Sequence, residues 1–231
     1  HTLFGVDDGP NHIQESLDML READLQGIRE IILTPHYRHG MFRYELDEIE
    51  RNFAELLKQV EENQINVRLY LGCEYHVDSD IFEHIQEGRV HTLADTEYVL
   101  TEYSHSSNYT DMKRYTHDLI AAGYQPVIAH IERYECIAKK PQLAGELSDM
   151  GALIQINADS TLGIDGKYLE KVCKKLLKLG IADIIASDAH GMKERVNHMD
   201  RCYQYVSRKF GERYATDLFY KNPKRITDIG R

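Results

Sequence analysis

The stretch Ile184-Ile-Ala-Ser-Asp-Ala-His190 decides how this chain is read. Its apolar start has the character of a buried strand end, and it stops at Asp188 and His190, two metal-competent side chains one residue apart. Side chains alternate along an extended chain, so residues at i and i+2 face the same way. The end of one strand thus aims a carboxylate oxygen and an imidazole nitrogen into a common space. A single Asp-x-His decides nothing, but the same arrangement recurs along the chain.

Working outward, a helix is expected with Ile13, Leu17, Leu20 and Ala23 on one face and Gly27 as its stop. Before it, the apolar start at 3–6 is broken by Asp-Asp-Gly-Pro at 7–10. A strand over 30–33 leads to Thr34-Pro35-His36, and the clearest helix covers 46–60. A strand over 67–71 then runs into Gly72-Cys73-Glu74. In the second half a strand over 98–101 reaches Glu102, a helix over 111–122 closes at Gly123, and a strand over 126–129 delivers His130. A helical stretch over 140–150 precedes a strand over 152–156 that ends at Asn157. A basic helix over 168–179 returns to 184–186, and two further helical stretches finish the chain before Asn222-Pro223. Strands alternating with helices, without hairpin signals, imply parallel strands joined by right-handed crossovers. Seven or so such units fit a closed α/β barrel better than an open sheet.

The chain has 231 residues, 42% of them hydrophobic, enough for one domain over 1–231 with a full core. A formal charge of −10 argues against general nucleic-acid binding, which needs clustered Lys and Arg. No apolar run approaches the roughly 18 residues of a membrane helix, and the first residues lack a signal-peptide pattern, so a cytoplasmic protein without membrane insertion is expected. The sequence does not begin with Met, and residues upstream of His1 are expected in the natural protein. Cys73, Cys136, Cys173 and Cys202 show no zinc-finger spacing and read as reduced structural thiols.

Asp8, His36, Glu74, Glu102, His130, Asp188 and His190 each fall just beyond a predicted strand end. In a parallel barrel those ends form one rim, where the chemistry is assembled. Any one of them could be a turn residue or a solvated carboxylate; seven at equivalent points of the repeat are hard to explain that way. Nitrogen and oxygen ligands without thiolate suit manganese, iron or zinc. The set exceeds what a single ion needs, and ions about 3.5 to 4 Å apart would hold a bridging hydroxide and clamp a phosphoryl oxygen, with Glu74 as the natural bridge. His12, His39, His76, His105, His117 and His198 lack this placement and are expected at the surface.

The run His1-Thr-Leu-Phe-Gly-Val-Asp-Asp-Gly-Pro10, with Thr34-Pro-His36, Gly72-Cys-Glu74, Ala129-His-Ile-Glu-Arg-Tyr134, Ala186-Ser-Asp-Ala-His190 and Asn222-Pro-Lys224, resembles the polymerase and histidinol phosphatase (PHP) family. More narrowly it is similar to the manganese-dependent protein-tyrosine phosphatases of Gram-positive capsule and exopolysaccharide assembly, over essentially the whole chain. The resemblance implies a distorted (β/α)7 barrel with a metal site at its C-terminal rim. It places His1, Glu74 and Asp188 on one ion, Glu74, Glu102 and His130 on a second, and Asp8, His36 and His190 on a third, with Arg133 and Arg195 on phosphate. The family opens with Asp-x-His-x-His, of which only the last histidine is present, as His1, so one ligand of the first ion is absent from this sequence. The implied reaction is hydrolysis of phosphotyrosine in protein by a metal-bound hydroxide on two or three Mn2+ ions, iron or zinc being alternatives. The implied substrate is the tyrosine-rich C-terminal tail of a membrane-associated tyrosine kinase.

Cys202 and Arg208 have the Cys-x5-Arg spacing of thiolate-dependent tyrosine phosphatases. The intervening Tyr-Gln-Tyr-Val-Ser has no glycine for a phosphate cradle, and Val196, Met199, Tyr203, Val206 and Phe210 keep helical periodicity. An i,i+6 pair on a helix projects to different sides, so thiol and guanidinium could not share one phosphate. Two other functions remain compatible with these residues: a small-molecule phosphatase of the histidinol phosphate type, and a metal-binding domain that docks on a kinase without turnover.

Overall fold

Glycine and proline punctuation sets the first elements. In the computed structural model, which describes residues 1–42 and 45–228, the chain divides into two units, His1–Asp95 with Asp188–Asn197, and Thr96–Ser187 with His198–Arg231. The N-terminal segment at 3–6 forms turns where a strand was expected, and the loop is closed by Gly5 N donating to the Pro10 carbonyl at 2.8 Å. Gly5 takes φ +72°, which a side chain would resist. Asp8 therefore hangs from a loop instead of a strand end.

In the first unit, α1 (Ile13–Leu25) buries Leu17, Leu20 and Ala23 and ends before Gly27 at φ +82°. It is followed by β1 (Glu30–Leu33), β2 (His36–Tyr37), α2 (Leu46–Glu62), β3 (Arg68–Leu71), β4 (Glu74–His76) and α3 (Ile81–Gln86). β1 pairs in parallel with β3, and β2 with β4, placing His36 opposite Glu74. Both expected strands are thus broken at the same level, at Thr34-Pro35 and Gly72-Cys73, and then resume. Pro35 has no N–H to offer a ladder. Across the break Gly72 N donates to the Leu33 carbonyl (2.8 Å) and Glu74 N to the Pro35 carbonyl (3.1 Å). His36 and Glu74 stand just beyond the ends of β1 and β3, as expected, and are also the first residues of the resumed strands. Beneath them, Leu17, Leu20, Leu33, Ile49, Leu56 and Leu71 belong to one buried cluster. Each such side chain contributes about 1.5–3 kcal/mol when fully buried.

The second unit carries four parallel strands in the order β5 (Tyr98–Glu102), β6 (Gln125–Ile128), β7 (Leu153–Asn157) and β8 (Ile184–Ala186). Between them run α4 (Tyr109–Ala121), α5 (Glu135–Lys139), α6 (Gln142–Asp149), α7 (Ala158–Leu162) and α8 (Lys167–Leu179). Asn108 caps α4 by accepting from Asp111 N at 2.9 Å. Every residue of β7 is buried, as expected for a parallel strand covered on both faces. α9 (Met199–Phe210) begins after Val196, so that residue is not on the helical face predicted for it. A further helix, Asn222–Thr227, starts at Asn222-Pro223 instead of stopping before it, with the proline in the first turn where its missing N–H is harmless. No helix among the described residues is long and apolar enough to cross a membrane.

The break at Gly72 is set by space. A Cβ there would lie 2.8 Å from Leu93 Cδ2 and 3.1 Å from Ile32 Cγ2. Gly72→Ala should lower unfolding free energy by about 1–3 kcal/mol, read as a reduced urea midpoint at unchanged slope; a midpoint equal to the parent's would show that the break tolerates a side chain.

Candidate metal centre

The centre in the first unit is built on one short loop. Asp7 accepts from Gly9 N (3.0 Å) through Oδ1 and from His36 N (3.0 Å) through Oδ2, and the same Oδ2 lies 2.7 Å from His1 Nδ1. Residue 9 must be glycine, since a Cβ would fall 2.2 Å from the His1 carbonyl oxygen. With Nδ1 donating to Asp7, His1 points Nε2 at Glu74 Oε2 (2.8 Å) and Asp188 Oδ1 (3.6 Å). Burial disfavours the His1 imidazolium, but hydrogen bonds to Asp7 and Glu74 and their charges outweigh it, raising its pKa to about 10. In return His1 draws Asp7 down to about 2 against the effect of burial. The proton on His1 stands where the carboxylates ask for positive charge.

His190 behaves in the opposite way. Burial, with the charges of His1 and Arg195, pushes its pKa down to about 3, so the ring is neutral. Its Nδ1–H donates to the Asp188 carbonyl (3.0 Å), which leaves the lone pair on Nε2. That atom is buried, has no hydrogen-bond partner among the described residues, and lies 3.4 Å from Asp8 Oδ1. His36 Nε2 lies 3.5 Å from the same oxygen. Two donors about 2.1 Å from one ion at a near-tetrahedral angle are about 3.4 Å apart, so a buried lone pair and a carboxylate at this spacing fit a divalent cation. Donor atoms of His1, Asp8, His36 and His190 all fall within 4.8 Å of one another, as do those of His1, Glu74 and Asp188. With a cation in place of the His1 Nε2 proton, imidazole nitrogens and hard carboxylate oxygens suit manganese, iron or zinc.

Arg195 sits on the same loop as His190, where its carbonyl accepts from His190 N at 3.0 Å. Its guanidinium donates to Asp188 Oδ2 (2.8 Å) and lies 3.7 Å from Asp8 Oδ2. Asp188 and Arg195 take φ +50° and +48°, left-handed conformations that cost side-chain-bearing residues energy.

In the second unit His130, at φ +32°, follows β6 and brings Nε2 to 3.8 Å from Glu102 Oε1. Its left-handed backbone is held by Gln155, whose Oε1 accepts from His130 N (2.6 Å) while Nε2 donates to Asn157 Oδ1 (2.8 Å). Asn157 N in turn donates to the fully buried Glu132 Oε1 at 3.1 Å. Arg133, in the turn Ile131–Arg133, lies 3.9 Å from Asp165 Oδ2. Glu135 pairs with Lys139.

His12, His39, His105 and His117 are exposed as expected. His76 and His198 are corrections: both are half-buried, His76 at the end of β4 and His198 with Nδ1 2.8 Å from Asp159 Oδ1. Sequence reasoning passed over Asp7, taken as part of a turn, and Phe42, whose ring stacks on His36 with centroids 5.0 Å apart and planes at 9°. It also passed over His84, buried with Nδ1 2.7 Å from the Tyr75 hydroxyl. The pair Asp7-Asp8, one residue too many for a single ligand, was the available signal for the first. Cys202 is fully buried in α9 and burial pushes its thiol up to about 12, while Arg208 is exposed.

Asp7→Asn keeps the shape of the side chain and removes the charge that orients His1. Outer carboxylates of this kind support metal affinity by roughly 10–100-fold. Manganese titration by calorimetry should show a loss on that scale; affinity equal to the parent's would mean that His1 is positioned without Asp7.

Residues 1–228 match the family model for capsular polysaccharide synthesis, CpsB/CapC. A tyrosine-protein phosphatase CpsB of Streptococcus pneumoniae is 32% identical over 231 residues, covering 98% of this chain and 95% of that one. A solved structure described among those of YwqE from Bacillus subtilis and CpsB from S. pneumoniae, "unique metal-dependent tyrosine phosphatases", superposes with a TM-score of 0.92 at 30% identity, covering 98% of this chain and 92% of its own. A histidinol phosphate phosphatase from Lactococcus lactis, at 15% identity and TM-score 0.55 over 90% of this chain and 89% of its own, shares the fold. The parallel α/β architecture is thus of the PHP type, and the chain belongs to the CpsB/CapC family of capsular polysaccharide synthesis.

Proposed function

We propose that this protein is a metal-dependent protein-tyrosine phosphatase, and that the observation carrying this reading is the buried His190 Nε2, without a hydrogen-bond partner among the described residues, facing Asp8 beside His36 and His1. His1, Asp8, His36, Glu74, Asp188 and His190 are its cation ligands in the first unit, and Glu102 and His130 in the second. Two or three manganese ions are the favoured occupants, with iron or zinc as substitutes. Bound cations supply positive charge for the phosphoryl oxygens and bring the pKa of coordinated water towards about 7. The names of the pneumococcal and Bacillus relatives support phosphotyrosine in protein as the substrate. Membership in a capsule-synthesis family supports the reading that this phosphotyrosine lies in the C-terminal tyrosine cluster of a membrane-associated tyrosine kinase.

The chain's own contribution is placement. Asp7 fixes the His1 ring, the Asp188 carbonyl fixes the His190 tautomer, and Gln155 fixes the backbone of His130. Arg133 in the second unit and Arg195 in the first each carry a planar fork suited to donating paired hydrogen bonds to phosphate. Arg195 rests on Asp188 and Asp8, and a cation held by those carboxylates would release its guanidinium donors for substrate. A tyrosine phenol, with a pKa of about 10, leaves with less proton assistance than an alkyl alcohol. No thiolate takes part, because Cys202 is buried and held protonated.

Turnover of a phosphotyrosine peptide should vanish on exhaustive chelation, return with manganese, exceed turnover of histidinol phosphate, and persist in Cys202→Ser. Activity that survives chelation and disappears in the serine variant would sink the metal reading. Preference for histidinol phosphate would move the protein to the small-molecule class.

For Arg133→Ala, inhibition by inorganic phosphate should weaken about 10–100-fold, the scale of a charged hydrogen-bonded pair, with melting temperature and metal content near the parent's. Unfolding of the variant would instead assign Arg133 to structure through Asp165.

A further inference from the structure

The basic helix α8 is not used by the metal centre. Its thirteen residues, Lys167–Leu179, include five lysines and one acid, Glu170, which is paired with Lys174. Lys167, Lys171, Lys175 and Lys178 are all exposed, and among the described residues none of the four makes an ion pair or side-chain hydrogen bond. At 3.6 residues per turn they fall within an arc of about 80° and form a stripe about 16 Å long. The buried residues of the helix, Val172, Cys173, Leu176 and Leu177, centre on the opposite side. Tyr168, 61% exposed, and Leu179, 47% exposed, both lie along one flank of the stripe.

In a chain with 38 acidic and 28 basic side chains, such a partnerless stripe departs from the general surface. We infer that the outer face of α8 is a docking surface for anionic lipid headgroups, which seats the protein on a bilayer without inserting it. The argument is charge complementarity with three supports. The face carries only lysines, compact point charges suited to a diffuse negative field, whereas recognition of single carboxylates or phosphates favours the planar fork of arginine. A straight helical stripe presents its charges at one level, as a plane of headgroups requires. The exposed Tyr168 and Leu179 offer the amphipathic flank that a membrane interface takes up. The acidic remainder of the surface does not cancel this attraction, because charges more than about 8 Å away are screened at physiological salt. This inference stands apart from the catalytic reading, and none of its residues belongs to the metal centre.

The test is sedimentation of the full chain with vesicles of phosphatidylcholine alone or enriched in phosphatidylglycerol. A lysine near an anionic surface strengthens partition about fivefold, so K167Q/K171Q/K175Q/K178Q should bind phosphatidylglycerol vesicles about a thousandfold more weakly than the parent. The corresponding quadruple arginine variant should bind as the parent does, higher salt should release the parent, and all three proteins should keep the same melting temperature and the same turnover of a soluble phosphotyrosine peptide. Equal partition of the parent into both kinds of vesicle would overturn the proposal, as would undiminished binding by the glutamine variant. Tighter binding of a polyglutamate peptide than of the anionic vesicles would assign the stripe to an acidic protein instead.

Discussion

One imidazole between two carboxylates organises the first unit. His1 donates to Asp7 and faces Glu74, at 2.7 and 2.8 Å, almost out of solvent. Buried charges of one sign are tolerated only when something positive joins them. Asp7, Asp8, Glu74 and Asp188 supply four carboxylates within this loop cluster, and the protonated His1 and Arg195 lie within ion-pair distance of them. The neutral His190 in the same cluster carries an Nε2 lone pair that meets no hydrogen-bond donor among the described residues, a position that a divalent cation would fit.

The strand breaks serve the same end. A continuous strand would alternate side chains through this level at fixed spacing; interruption at Thr34-Pro35 and Gly72-Cys73 resets the direction before His36 and Glu74, which then sit opposite each other in register. Left-handed backbone at His130, Asp188 and Arg195 re-aims the other side chains. Such conformations persist only where surrounding hydrogen bonds over-determine them, and the chain Gln155, Asn157 and Glu132 does this for His130.

Much of this was legible from residue order alone. The strand over 30–33 agrees to the residue, and the helices at 13 and 46 start where periodicity placed them, because long amphipathic patterns leave few alternatives. The candidate ligands other than His1 were singled out because a parallel α/β chain repeats its rim residues at equivalent points. Asp7 escaped because its role depends on a side chain folding back six residues, which no periodicity reports. Phe42 escaped for a similar reason: the tight turn that pairs Arg38 with Phe42 returns an aromatic ring over His36, and a turn of this kind has no apolar repeat. The segment at 3–6 looked like a strand because its residues are apolar, but Leu3 is buried from a turn.

The central claim is that the cluster around His190 Nε2 is a cation site. Anomalous diffraction from manganese-loaded crystals, collected on both sides of the manganese edge, tests it directly. The account predicts an edge-specific peak within coordination distance of His190 Nε2, His36 Nε2 and an Asp8 oxygen. Manganese-dependent activity in solution with no such peak beside those three atoms would contradict it.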